Sequence, residues 1–196
     1  GVKNIELCAA YAAIANNGNY IKPIYYTQIL DHDGNVLIEN SSVSRSVIKD
    51  STAYLLTSAM EDVVNKGTGT ACQLDNMTVA GKTGTTEDYN DLWFVGYTPY
   101  YTCAVWSGYD NNEKIPEDAR NFHKNLWRKV MNRIHEGLDD KDFEMPASVE
   151  KASVCAETGL LPRTGCTTIT ESFDIYMLPT EYCDPPFSGN HRAEDA

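Results

Sequence analysis

Three β-prone runs succeed one another between residues 78 and 109: TVAGKTGTT at 78–86, LWFVGYT at 92–98 and YTCAVWSGY at 101–109. Each is rich in β-branched or aromatic residues, and the connections are too short to hold a crossover helix. Neighbouring strands joined so tightly run antiparallel. A three-stranded antiparallel sheet is thus the feature around which the rest of the chain must be arranged. The helical run that follows, from about Glu117 to His135, spaces Phe122, Leu126, Val130 and Ile134 four residues apart. That apolar stripe is expected to cover the sheet.

Two further helices are expected upstream. In 4–16 (NIELCAAYAAIAN), Asn4 is positioned to cap, Leu7, Tyr11, Ile14 and Ala15 share a face, and Gly18 ends the helix. In 51–66, capped by Asp50 or Ser51, the stripe reads Leu56, Met60, Val63 and Val64, with Gly67 as the stop. Between them, YYTQILD and NVLIE flank His32-Asp33-Gly34, the pattern of a β-hairpin. After Gly137 the composition changes: Asp139 to Asp142 is a charged linker and Pro146 a boundary. The expected fold class is α+β, an antiparallel sheet flanked by helices. Residues 1–137 form the body, and 138–196 a linker with a small loop-rich C-terminal appendage.

Charge and cysteine usage narrow the function. The chain of 196 residues carries 16 Lys+Arg against 28 Asp+Glu, a net charge of −12. Such a surface repels phosphate backbones, which argues against nucleic acid as a partner. Hydrophobic residues make up 42%, enough for a real core. No apolar run approaches the roughly 18 residues a membrane helix needs. Of six cysteines, Cys8, Cys72 and Cys103 lie in apolar segments and read as core thiols. Cys155, Cys166 and Cys183 cluster in a Gly/Pro/Thr-rich tail, where the sequence leaves their pairing open. No Cys-x-x-Cys occurs, so no metal site is expected. His32, His123, His135 and His191 have no partners at catalytic spacing.

One segment calls for chemistry: Gly81-Lys82-Thr83-Gly84-Thr85-Thr86. It is not a phosphate loop, because Asn76 stands where that motif needs its first Gly, and the segment continues as a strand rather than opening a helix. On a strand, Thr83 and Thr85 are two apart and share a face. Gly84 between them has no side chain, and Lys82 adds a positive charge. Two hydroxyls and a cation suit a bound carboxylate, and an exposed N–H beyond Gly84 suits an oxyanion. The plainer reading is an ordinary edge strand carrying threonines. Gly67-Thr68-Gly69 reads as a helix stop and turn.

The surrounding segments decide between these. LCAAYAAIANNGNYIKP, GTGTA, VAGKTGTT, DLWFVGYTP and AVWSGYD, in this order, closely resemble the C-terminal half of the transpeptidase domain of penicillin-binding proteins, in particular class A peptidoglycan synthases. The resemblance covers about residues 1–137. The tail, with VCAETGLLPRTGC and Thr180 to Cys183, resembles that family's C-terminal extension. The resemblance implies a partial penicillin-binding, β-lactamase-like fold. Lys82-Thr83-Gly84 would be the third signature motif of penicillin-recognising serine enzymes. Lys82 would serve the electrostatics and proton traffic of the site. The Thr83 and Thr85 hydroxyls would bind the carboxylate of a D-Ala-D-Ala stem peptide or of a β-lactam. On the same resemblance Gly84 and Thr86 would complete the binding strand, and the Thr85 N–H would supply half an oxyanion hole. Trp93 and Phe94 are assigned to core packing. No cofactor is implied.

The same resemblance requires a nucleophilic Ser-x-x-Lys and a Ser-x-Asn upstream of Lys82. Ser46 to Lys49, Ser148 to Lys151 and Ser188 to Asn190 match these patterns, but their order along the chain is wrong. With no initiating Met, and Gly1 running straight into a helix, the chain reads as a piece of a longer protein whose upstream part carries both motifs. That protein is expected to be a D,D-transpeptidase at the extracytoplasmic face of a bacterial membrane, anchored outside this segment. The alternative reading is a non-catalytic module used for binding or as a structural subunit.

Overall fold

The computed structural model describes residues 1–184. The chain divides into two compact units, Gly1–Met145 and Pro146 onward. The first contains α1 (Asn4–Ala15), the short strands β1 (Asn19–Ile21), β2 (Gln28–Leu30), β3 (Val36–Glu39) and β4 (Ser44–Ser46), then α2 (Asp50–Lys66). Strands β5 (Ala80–Thr85), β6 (Asp91–Tyr97) and β7 (Thr102–Gly108) follow, and α3 (Phe122–Ile134) closes the unit. The second contains β8 (Val149–Cys155) and β9 (Thr168–Asp174).

The central sheet has the order β5-β6-β7, antiparallel throughout, as the short connections require. Residues opposite one another across the ladder share a face. One face therefore carries Thr83, Phe94 and Val105 in a row, flanked by the Gly81, Gly96 and Cys103 row. Phe94 is fully buried there and meets Trp127 of α3 edge-on, ring centroids 4.9 Å apart. Val64 of α2, Cys72, Val79 and Met131 complete this core. On the opposite face, Tyr97 and Ala80 pack with Met60 of α2 and with Tyr11, Ile14 and Ala15 of α1. The Tyr97 hydroxyl is paired with that of Thr57 at 2.7 Å. Phe143 stacks edge-on against Tyr97, so residues 138–145, read from sequence as linker, belong to the first compact unit.

Several local expectations are corrected. Asn4 does not cap α1. It is the first helical residue, and its amide donates to the Ala104 carbonyl on β7 (3.3 Å), while the Lys3 N–H donates to Glu6 (3.1 Å). In α2 the buried face is Ala53, Thr57, Met60 and Val64; Leu56 lies outside it. In α3 the buried face is His123, Trp127 and Met131, one position on from the expected stripe. Phe122, Leu126, Val130 and Ile134 remain exposed. Trp127 decides the rotation: it is the largest side chain on the helix, and its indole N–H reaches the Cys103 carbonyl at 3.0 Å. The tail is less irregular than its composition suggested, since β8 and β9 pair over seven residues each. Their segments, VEKASVC and TITESFD, lack a clean alternation of apolar and polar residues, so periodicity does not reveal them. The hairpin β2–β3 forms as expected, its turn held by the Asp31 carboxylate, which accepts from the N–H groups of Asp33 and Asn35.

Burial of His123 has a consequence for stability. Its ring is 2% exposed, and Nδ1 has no hydrogen-bond partner among the described residues. Burial, helped by Lys124, pushes its pKa down to about 4. An unfolded His takes up its proton near pH 6.5. The folded state therefore binds fewer protons between these values, and stability falls as pH drops from about 6.5 towards about 4. Above that window His123 contributes nothing to the slope. Denaturant unfolding at stepped pH should show this loss, and His123→Leu should be flatter across the window. Equal slopes for the two proteins would refute it.

Candidate active site

The candidate site lies along the outer edge of β5. The Thr86 N–H donates to the Asp91 carbonyl at 3.1 Å across the β5–β6 ladder. In an antiparallel ladder, alternate residues turn both backbone groups toward the partner strand. Given the register, Gly84, Lys82 and Ala80 point inward as Thr86 does. The N–H and C=O groups of Gly81, Thr83 and Thr85 therefore point out of the sheet edge. The site strand thus presents backbone donors on the same side of the sheet as its free edge.

Lys82 is exposed and folds along this edge. Its Nζ donates to the Thr83 carbonyl at 2.9 Å and lies 3.4 Å from the Thr83 hydroxyl. Thr83 is half-buried, and its Oγ1 is 2.8 Å from Oγ1 of Thr68. Thr68 sits in the turn that ends α2, where the N–H groups of Gly67 and Gly69 both donate to the Val63 carbonyl. A Cβ on Gly67 would stand 3.0 Å from Val63 backbone atoms, and one on Gly69 3.1 Å from the Val63 carbonyl oxygen. The turn is therefore built tightly enough to bring Thr68 onto the β5 edge. Sequence reasoning took Gly67-Thr68-Gly69 as a helix stop and missed this contact. The signal that points to it is the run GTGTA that follows α2.

Gly84 and Thr85 reach beyond this pair. Thr85 is exposed, and its backbone N–H points outward by the alternation above. Gly84 leaves the Trp93 side chain uncovered; a Cβ there would lie 3.2 Å from the Trp93 Cβ. Both residues border a cavity of about 600 Å³, whose walls include Thr86, Asp91, Trp93 and Trp106. Trp106 donates its indole N–H to the Asp91 carboxylate at 2.8 Å and tilts toward Trp93, ring centroids 6.4 Å apart. Phe94 is core, as expected, but Trp93 is half-buried on the opposite face and lines this cavity. The two-residue period of a strand puts successive aromatics on opposite faces, and on the Trp93 side it is the cavity beside Gly84, not the core, that the ring borders. Thr86 has a separate role. Its hydroxyl accepts from the N–H groups of Asn90 (3.0 Å) and Asp91 (2.9 Å) and closes the β5–β6 turn.

The Ser-x-x-Lys look-alikes lie elsewhere. Ser46 is on β4, paired with Asn19 in a separate two-stranded sheet, and Ser148 is in the second unit. Ser188 and Asn190 fall outside the described residues. Of the histidines, His135 is buried with Nε2 2.8 Å from the Thr98 hydroxyl and Nδ1 2.7 Å from the Met131 carbonyl, a structural placement. The edge therefore offers hydroxyls, outward N–H groups and an ammonium, the means to hold an anion and stabilise an oxyanion.

Comparison with known proteins adds to this geometry. Residues 1–133 match the family model of the penicillin binding protein transpeptidase domain. Residues 145–186 match that of the penicillin-binding protein 1A C-terminal domain. Penicillin-binding protein 1A of Clostridium botulinum (strain Langeland) is 35% identical over 192 residues, covering 94% of this chain and 23% of that protein. Penicillin-binding protein 1A/1B of Bacillus subtilis is 35% identical over 170 residues, covering 79% of this chain and 18% of that protein. The chain thus spans about a quarter or less of the length of these relatives. The crystal structure of penicillin-binding protein 1A from Haemophilus influenzae covers 93% of this chain and 33% of its own at TM-score 0.80, with 19% identity, a likeness of fold.

The two strand glycines make opposite demands that a stability experiment can separate. A Cβ at Gly81 would come within 2.6 Å of the Phe94 ring and 3.0 Å of the Gly96 Cα. Gly81→Ala should therefore lower the unfolding free energy by about 1–3 kcal/mol, the cost of overpacking a core. Gly84→Ala meets only a 3.2 Å contact and should cost less. Denaturant melts of both variants decide this; an equal or larger loss for Gly84→Ala would contradict it.

Proposed function

The chain belongs to the penicillin-binding protein transpeptidase family, and on that premise we propose that it supplies the substrate-holding strand of a serine D,D-transpeptidase. The observation that carries this is the β5 edge, where the Thr83 and Thr85 side chains share a face, with Lys82 folded along the edge and Thr68 tied to Thr83 at 2.8 Å. The substrate is a peptidoglycan stem peptide ending in D-Ala-D-Ala; a β-lactam takes the same place. The terminal carboxylate is held by the Thr83 and Thr85 hydroxyls, Thr68 fixing the rotamer of Thr83. Lys82 supplies positive charge and a route for protons. The Thr85 N–H faces the carbonyl oxygen that becomes an oxyanion. Gly84 keeps the strand flat against the ligand, and Thr86 acts by holding the turn.

The serine is supplied by chain outside these 196 residues, in the Ser-x-x-Lys and Ser-x-Asn that the family requires. Its Oγ attacks the penultimate D-Ala carbonyl carbon. The C–N bond to the terminal D-Ala breaks, and that D-Ala leaves with the proton on its nitrogen. The amine of a neighbouring stem peptide then attacks the ester, forms the cross-linking amide and restores the serine hydroxyl. This chemistry takes place at the outer face of the cell membrane. Among the described residues no helix is long and apolar enough to cross a membrane.

Two measurements test the reading. The isolated chain should form no covalent adduct with a fluorescent penicillin, whereas the longer protein that contains it should. In that longer protein, Thr83→Val with Thr85→Val keeps the shape and suits a strand but removes both hydroxyls. Each hydrogen bond to a charged group contributes roughly 1.5–3 kcal/mol, so losing both should slow acylation by about two to four orders of magnitude. An acylation rate within about twofold of the parent would remove the carboxylate role. A longer protein that never acylates would favour a non-catalytic module.

A further inference from the structure

The second unit brings three cysteines together that the sequence keeps apart. Cys155, Cys166 and Cys183 are separated by 11 and then 17 positions. Their sulfurs all lie within 4.8 Å of one another. Cys155 and Cys183 are buried and Cys166 half-buried. Backbone hydrogen bonds fix all three. The Cys155 N–H donates to the Leu160 carbonyl (2.8 Å), Cys166 to Arg163 (3.1 Å), and Cys183 to Leu161 (2.9 Å). The Arg163 Nε donates to the Cys183 carbonyl at 2.8 Å. The convergence is therefore a property of the chain path rather than of three flexible side chains.

Glycines set the turns beside two of the cysteines: Gly159 and Gly165 take left-handed φ values of 71° and 96°, where other residues are strained. The Gly159 N–H donates to the Cys155 carbonyl at 2.9 Å and closes the turn that follows Cys155.

Two chemistries compete for such a cluster. A disulfide would use Cys166 and Cys183, whose sulfurs are 2.9 Å apart, and strand the third thiol against it. A divalent cation would use all three. With metal–sulfur distances of about 2.3 Å, the edge of a tetrahedral thiolate site is about 3.8 Å. The cluster brackets that length, with its nearest pair below it and its outer limit above. Three thiolates so close repel one another, and a central cation turns that repulsion into attraction.

We propose that Cys155, Cys166 and Cys183 form a three-thiolate site for a zinc-class divalent cation, with a fourth position left to water or an exchangeable ligand. Each thiol gives its proton to solvent as it binds, with no change in oxidation state. Sequence spacing had argued against a metal because no Cys-x-x-Cys is present. The β8–β9 ladder brings Cys155 close to the Cys166 loop. The Leu161–Tyr182 bridge does the same for Cys183.

The test uses the full chain, reduced and stripped of metal. Equilibration with Zn²⁺ and removal of the excess should leave one zinc per chain. Titration with Co²⁺ should develop the visible bands of a tetrahedral site, and a sulfur-to-cobalt charge-transfer band whose intensity counts three thiolates. Zn²⁺ should bleach both. Loss of an outer-shell partner already costs 10- to 100-fold in metal affinity, so Cys155→Ser should weaken zinc binding by at least about a hundredfold. Cys183→Ser should do the same, and Cys8→Ser in the first unit should change nothing. No zinc uptake by the reduced chain would overturn the proposal. So would uptake that survives Cys155→Ser, or a cobalt spectrum that counts two thiolates or fewer. The thiolate count is read on the unaltered chain, so it holds even if a variant misfolds.

Discussion

The first unit depends on one slot in its sheet. Phe94 can lie flat enough to meet Trp127 edge-on only because Gly81 and Gly96 stand beside it without side chains. A Cβ at Gly96 would come within 2.8 Å of Phe94 and 2.9 Å of Trp127, and one at Gly81 within 2.6 Å of Phe94. The aromatic pair contributes about 0.5–1.5 kcal/mol beyond its buried area. Its larger effect is geometric. It fixes how far α3 sits from the sheet, and through Val64 and Val79 it fixes α2 as well. Gly81 thus belongs to the core although it adjoins Lys82 in the site motif.

From that slot the placement of the β5 edge follows by register. Thr83 lies opposite Phe94, so the strand cannot slip by one residue without driving Phe94 out of its slot and turning both threonines to the other face. The same core seats α2, whose terminal turn delivers Thr68 to Thr83. A strand backed this way is held by packing from α2 and from the Phe94 slot, which is what precise positioning of its outward groups needs. On the far face Gly84 does the opposite of Gly81: it leaves space unfilled beside Trp93 instead of admitting a ring. One hexapeptide therefore contains a glycine for packing and a glycine for access.

Much of this was legible in the sequence, and the failures have physical causes. Strands with short connections announce their own pairing, so β5, β6 and β7 were readable together with their direction. The Lys82-Thr83-Gly84 segment by itself left an ordinary edge strand open, and it was the neighbouring segments, in their order along the chain, that carried the family resemblance. Which face of α3 is buried was not, because two apolar stripes run along that helix one position apart. Four apolar side chains at 122, 126, 130 and 134 outnumber those at 127 and 131, but the single indole outweighs them by size and by its bond to Cys103. Thr68 was hidden for another reason. A helix stop and a site residue look alike in a Gly-Thr-Gly run, and only the distance to Thr83 separates them.

The two units also differ in how a chain can be held in shape. In the first, buried aromatic and aliphatic side chains on both faces of the sheet supply the cohesion. In the second, the buried residues among those described are Val149, Val154, Cys155 and Cys183. Half of that set is cysteine, and the sulfurs point to one place. A pattern of buried residues is usually evidence of packing, but where half of them are thiols converging on one another, packing alone is a poor account. Thiols buried for their size sit apart and keep their protons, as Cys72 does with its pKa pushed up to about 12 by burial. Thiols gathered around a point are arranged for bonding. The same residue type thus serves as filler in one unit and as fastening in the other, and the number of sulfurs within reach of each distinguishes the two.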